Sequence, residues 1–164
     1  MSVPSTWAEP ATKGRITKGI RLFYGDVGAN NAEPSTWTEV VNVQAIPDMG
    51  GTAETIEVTT FQDHAHTFIN GLLSYGDSIE FTLLHDATQF AALAGIAGAK
   101  YWKVNLPDGA TGAGQTTYAD YSTKVSFIAE SSIKINGVGT NEALTDTLAL
   151  TPQSTIEFGT EAGA

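Results

Sequence analysis

A mainly β fold is predicted by this sequence: two packed antiparallel sheets, sandwich or barrel-like, with one short flanking α-helix. Three features predict it. Apolar and polar residues alternate with a period of two in segment after segment, which places one set of side chains on each face of a strand. Gly, Pro and Asn/Asp punctuate the chain at short intervals. Most segments keep a half-polar face, which suits antiparallel sheets with a solvated side rather than a doubly wound parallel sheet.

In chain order, strands are expected at residues 20–24, 37–46, 55–60, 78–84, 101–106, 124–130, 132–136, 147–151 and 155–158. The pattern is clearest where Trp102, Val104 and Leu106 alternate with Tyr101, Lys103 and Asn105. Val125, Phe127 and Ala129 alternate with Lys124, Ser126 and Glu130, with Ile128 the exception, and Leu148 and Leu150 alternate with Thr147 and Thr151. One helix begins at Asp86, whose carboxylate can cap the first turn while Gln89 returns the bond. Phe90, Leu93, Ala94 and Ala97 share its apolar face; Gly95 weakens it and Gly98 is placed to end it. The helix is expected to pack on a sheet or plug the end of a barrel. Loops are marked at 28–35, 47–51, 107–114 and 137–141, with Pro107-Asp108-Gly109 the most direct turn signal.

A chain of 164 residues fits one domain and can bury a core without a staple. It has no cysteine, which removes disulfides, thiolate metal sites and cysteine nucleophiles together. The first residues lack a basic region followed by an apolar run, so the chain is expected to fold in the cytoplasm. No apolar stretch approaches the roughly 20 residues that span a bilayer. A single β domain is expected at 15–158, flanked by a flexible N-terminal arm, 1–14, and a flexible C-terminal tail, 159–164. Eighteen acidic residues against eight basic ones give a net charge of −10, which repels a phosphate backbone rather than binding it. Lys13, Arg15, Lys18 and Arg21 are clustered near the start, whereas residues 22–99 contain no Lys or Arg. A basic arm is thereby set against an acidic body, its own or a neighbour's.

Chemistry is sparse. Asp63-His64-Ala65-His66 is the one compact metal-like set, but a closed zinc site would need a distant His85 or carboxylates, and a polar loop with solvated imidazoles explains it better. No Gly-x-Ser-x-Gly elbow, Walker loop or Gly-x-Gly-x-x-Gly fingerprint occurs. Acidic pairs such as Glu54 with Glu57, or Asp77 with Glu80, fit solvated strand faces. No enzyme, cofactor or metal site is expected. The hexapeptides Pro4-Ser5-Thr6-Trp7-Ala8-Glu9 and Pro34-Ser35-Thr36-Trp37-Thr38-Glu39 echo each other, but two copies without matching flanks make no repeat architecture.

An ordered set of phrases runs along most of the chain: Arg21-Leu22-Phe23-Tyr24-Gly25, then Ile46-Pro47-Asp48-Met49-Gly50-Gly51, Thr55-Ile56-Glu57-Val58-Thr59, Phe68-Ile69-Asn70-Gly71-Leu72 and Ile79-Glu80-Phe81-Thr82. Trp102 to Gly109 and Ile133-Lys134-Ile135-Asn136-Gly137 complete it. In order and spacing it resembles the major tail tube proteins of long-tailed bacteriophages, and it is similar to inner-tube subunits of type VI secretion. The resemblance implies a homo-oligomer, a subunit of hexameric rings that stack into the virion's tail tube. It also implies synthesis in the host cytoplasm, transient passage of DNA without specific binding, and tape measure, tail-terminator and baseplate proteins as partners. An immunoglobulin-like domain that some relatives carry at the C-terminus is expected to be absent here.

Three sets of site residues go with that reading. The polar excursion with Gly50, Gly51, Glu54, Asp63, His64, His66, Asn70 and Gly71 is too long for a hairpin turn and is expected to order against an adjacent ring. Lys13, Arg15, Lys18 and Arg21 are expected to contact other subunits. Glu39, Glu54, Glu57, Asp77 and Glu80 are expected to contribute to an acidic lumen that keeps phosphates from sticking. The alternatives are a monomeric β-sandwich binding carbohydrate or protein through Trp7, Trp37 and Trp102, and a tail-terminator or baseplate relative.

Overall fold

The computed structural model describes residues 20–106 and 123–160. In order these form β1 (Arg21–Gly25), a 3-10 turn (Ala29–Asn31), β2 (Thr38–Val40), β3 (Val43–Ala45), β4 (Thr52–Glu57), β5 (Phe68–Ser74) and β6 (Ile79–Leu84). Helix α1 (Ala87–Ala94), β7 (Ala99–Leu106), β8 (Thr123–Ile135), β9 (Thr145–Pro152) and β10 (Glu157–Thr160) follow. Over the described residues the fold is mainly β with one α-helix and two antiparallel sheets, as the alternation predicts. The larger sheet has eight strands, in the order β2-β1-β7-β8-β9-β6-β3 with β10 added beside β8; β4 and β5 make the second.

The larger sheet is forced to curl. β2 and β3 lie at its opposite edges, yet only Val41 and Asn42 separate them in the chain. Three Cα steps of 3.8 Å reach about 11 Å, whereas seven flat strands about 4.8 Å apart span about 29 Å. The wall therefore rolls toward closure, the barrel-like form of the expected fold. Its corner is Asn42, whose φ of +62° is a left-handed conformation that Asn tolerates better than most residues. Gln89 of α1 clamps that corner, donating to Val41 O and accepting from Val41 N–H, both at 2.8 Å. The segment expected as one strand over 37–46 is thus two strands.

Alternation sends Leu22, Val40, Phe81, Trp102, Val104, Phe127, Leu148 and Leu150 inside the curl, where Leu93 of α1 and Ile156 join them. Trp102 is wholly buried, and its indole N–H donates to Ala129 O at 3.2 Å. The outer face of β7 and β8 is covered as well: Tyr101, Lys103, Ser126 and Ile128 are buried there. Trp37 lies over that face, its ring edge-on to Tyr101 at 5.9 Å and 4.4 Å from Lys103 Nζ. Lys103 also faces the ring of Phe23, so its charge is buried against two π faces. Burial on both faces is why Ile128 breaks the alternation.

Other departures have local causes. The strands expected at 124–130 and 132–136 are one, β8, because β9 pairs continuously from Ala129 to Ile135. Asp86 caps α1 as expected, accepting from Gln89 N–H at 2.8 Å, but the Gln89 side chain goes to Val41 instead of returning the bond. The helix ends at Ala94 with Gly95 as its cap; Gly98, at φ +72°, sits in the turn before β7. Ala94 and Ala97 are exposed, leaving Leu93 as the helix's buried anchor. β10 runs to Thr160, past the expected start of the C-terminal tail. The loop at 107–114, the arm at 1–14, and Lys13, Arg15 and Lys18 lie outside the described residues.

Candidate assembly surfaces

The excursion expected between Gly50 and Gly71 is a β-hairpin. β4 and β5 pair only with each other, with a bulge between Ala53 and Thr55. Ile56 pairs with Ile69 and Ala53 with Leu73. The Ile56 side chain lies over Gly71, where an added Cβ would stand 3.1 Å from Ile56 Cδ1, and Leu73 lies over Gly51 in the same way. Ile56, Ile69 and Val58, whose N–H donates to Thr67 O at 2.9 Å, share one face of the ribbon, whereas the bulge shifts β5 by one residue and leaves Leu73, opposite Ala53, on the other. Ile56, Val58, Ile69 and Leu73 are 40–51% exposed, although all four are branched aliphatics of the kind that fill cores. The other face carries Ala53, Thr55, Glu57, Phe68, Asn70 and Leu73. At 56% and 84% exposure, Phe68 and Leu72 are also uncovered.

The tip is built by Asp63. Its carboxylate accepts from Thr60 N–H at 2.6 Å and Thr60 Oγ1 at 3.0 Å, and its own N–H donates to Thr60 O. Those bonds hold the Asp63 carboxyl below its usual range. Phe61, inside this turn, is fully exposed. His66 Nδ1 sits 2.5 Å from Glu57 Oε1, and its ring stacks on Phe68 at 6.4 Å. The contact with His66, and secondarily the hydroxyl of Thr59, lowers the Glu57 pKa. Asp63 and His66 thus turn to different partners, His64 is exposed, and no group of three or more possible metal ligands gathers among the described residues. All eight residues named for the excursion fall on this arm or its base.

The charged sets are placed differently. Arg21 is in β1 and pairs with Glu39 of β2 at 3.4 Å, so one expected arm residue meets one expected lumen residue within a single subunit. Glu54 and Glu57 belong to the hairpin, while Asp77 and Glu80 stand at the entry to β6. The five carboxylates are therefore spread over three places. Glu80 shares the outer face of β6, β9 and the second half of β8 with Thr82, Thr147, Ala149, Ser132 and Lys134, a surface of mostly small polar side chains. Asn136 binds that face together, donating to Thr145 Oγ1 at 3.0 Å and accepting from Thr147 Oγ1 at 2.8 Å.

A cleft of about 260 Å³ between α1 and the β1–β2 edge is lined by Tyr24, Glu39, Val40, Asp86, Gln89 and Leu93, among others. Its Asp86 is committed to the helix cap and Glu39 to Arg21, so no nucleophile and base converge there. The aromatic surface needed for the binding-module reading is not presented: Trp102 is in the core and Trp37 is half-buried on Lys103, while Trp7 lies outside the described residues. Sequence reasoning missed one pair. His85 Nδ1 stands 2.9 Å from both carboxylate oxygens of Asp146, which is buried at the end of the barrel. The available signal was parity, since Asp146 falls on the inward set with Leu148 and Leu150.

Among known proteins, the family described as "Phage tail tube protein, TTP" matches residues 17–158. No curated protein matches the chain in sequence. A chain in the solved structure "Cryo-EM structure of the anti-feeding prophage (AFP) baseplate, 6-fold symmetrised" has a similar fold, with a TM-score of 0.58 and 14% sequence identity. The similarity covers 92% of this chain and 96% of that one.

Proposed function

Because the chain belongs to the phage tail tube protein family, a family of structural tail proteins, we propose that it assembles into stacked hexameric rings forming the conduit for genome delivery. The family match over residues 17–158 carries this reading. The six-fold symmetry stated for the AFP baseplate motivates the ring number. Physically, an arm with aliphatic residues on an uncovered face is a surface that self-assembly would bury. Exposed strand edges, such as those of β4, β5 and β10, would gain partners when neighbouring sheets meet.

In this reading the hairpin orders against the adjacent ring, and Lys13, Arg15 and Lys18 contact other subunits while Arg21 braces β1 against β2. The exposed face of β6, β9 and the end of β8 lines the channel, with Asp77 and Glu80 supplying the carboxylates that repel passing phosphates. The subunit has a structural rather than a catalytic role. It is made in the host cytoplasm and joins tape measure, tail-terminator and baseplate proteins in the virion tail. Negative-stain electron microscopy across a concentration series tests the reading: hollow stacked rings are expected. Particles that stay monomeric at every concentration, and with a tail-initiating complex added, would overturn it.

A further inference from the structure

The second of the two echoing hexapeptides, Pro34–Glu39, fills a groove on the outer face of β1 and β7. The Pro34 ring sits against Gly25, where an added Cβ would stand 2.6 Å from Pro34 Cγ. The Trp37 ring lies 4.4 Å from Lys103 Nζ and edge-on to Tyr101, and Glu39 pairs with Arg21 at 3.4 Å. Ser35, Thr36 and Thr38 are exposed. The first hexapeptide, Pro4–Glu9, repeats the Pro, the Trp and the Glu at the same spacing, and the one position at which the two differ, Ala8 for Thr38, corresponds to an exposed side chain. The residue types that touch the groove are thus encoded twice in the chain.

Chain direction gives both copies access to the same place. The end of Pro34–Glu39 follows β1 and pairs antiparallel with it, Glu39 opposite Phe23. Pro4–Glu9 precedes β1, and a segment that a loop joins to the start of a strand also runs antiparallel to it. Residues 10–20, with Gly14 and Gly19 among them, make a connection comparable in length to residues 26–33 on the other side, so closing either loop costs a similar entropy. The match ends where the resident copy is anchored. Val40, the next residue, is 2% exposed in the core, whereas Pro10 stands at the corresponding place without an N–H or an aliphatic chain to replace it. We propose that Pro4–Glu9 is a second occupant of this groove and exchanges in cis with Pro34–Glu39. Val40 and the pairs Glu33–Lys124 and Asp26–Lys100 keep Pro34–Glu39 as the resident one. Exchange lets residues 26–39 leave the outer face of β7 without stripping Lys103 of an indole face. It also draws residues 10–19, with Lys13, Arg15 and Lys18, into a loop beside β1.

Tryptophan substitution tests this on the single subunit, independently of tube formation. Trp102 is wholly buried, so acrylamide quenching reports on Trp7 and Trp37, and subtracting the matching Trp7→Phe chain isolates Trp7. In the unsubstituted chain Trp7 is expected to be open to quencher. In Trp37→Ala it is expected to become protected as it takes the vacated place. Stability gives a second reading. Trp7→Ala alone is expected to change the equilibrium constant for unfolding less than about twofold, whereas adding it to Trp37→Ala is expected to change that constant about tenfold. Trp37→Phe, which keeps a ring over Lys103, is used if Trp37→Ala does not fold, with the same directions expected. Equal quenching of Trp7 with and without Trp37, or additive effects of the two substitutions, would overturn the proposal. So would protection of Trp7 that fades over about a hundredfold dilution, because the groove of a second copy would then be the site.

Discussion

Asp146 is a carboxylate placed where the strand pattern asks for an aliphatic side chain. It is 2% exposed and lies opposite Leu83 on one side and Ile135 on the other. Among the described residues only His85 approaches it with a side-chain bond, so His85→Ala would strand a buried acceptor and is expected to cost about 1–3 kcal/mol. Urea denaturation measures this, and an unchanged midpoint would mean the carboxylate finds water instead. Two exposed carboxylates make the hairpin respond to pH. Glu57 and Asp63 both titrate below their ordinary values of 4.5 and 3.8, because His66 with Thr59, and Thr60, respectively bond their charged forms. A carboxyl lowered by folding stabilises above its unfolded pKa and loses that contribution as pH falls through its folded one. The hairpin tip is therefore expected to be fully ordered at neutral pH and to loosen in acid, below those values. Carboxyl NMR titration checks it; midpoints at or above 4.5 and 3.8 would refute the bonding described.

At the scale of elements, the sequence disclosed those whose two faces differ. Leu148 and Leu150 against Thr147 and Thr151 mark β9 because one side of that strand is core and the other is solvent-facing. β5 was not placed as a strand: Phe68-Ile69-Asn70-Gly71-Leu72-Leu73 has no alternation, since neither face of the hairpin is buried by the subunit itself. The break between β2 and β3 was also hidden, because the corner at Asn42 is imposed by closure of the sheet and by Gln89 from a distant helix. The hairpin's isolation leads to a prediction about the element as a whole. Replacing residues 55–69 with a short turn removes side chains that contribute nothing to the core cluster. The thermal midpoint is expected to move little, while assembly is lost. A large drop in stability would show that the arm is part of the folding unit, and normal tubes would show that it is not an assembly element.

For the molecule as a whole, the composition and the uncovered apolar surfaces act in opposite directions. Each copy carries a net charge of −10, so identical subunits repel as they approach. The acidic bias and the clustered basic residues were legible in the sequence, but not the ion pair between Arg21 and Glu39, which depends on β1 and β2 being neighbours. The two forces respond differently to salt. Screening shortens the reach of repulsion to about 8 Å at physiological ionic strength and about 3 Å at 1 M, while apolar burial is little affected. If apolar contacts hold the copies together against charge, the concentration needed for assembly should fall as salt rises from about 0.05 to about 0.5 M. Light scattering with parallel electron microscopy measures that threshold. A threshold that rises with salt would place the main attraction in ion pairs between the basic segment near the start of the chain and the acidic body of a neighbour, and would move the search for the dominant interface from the hairpin to residues 13–21.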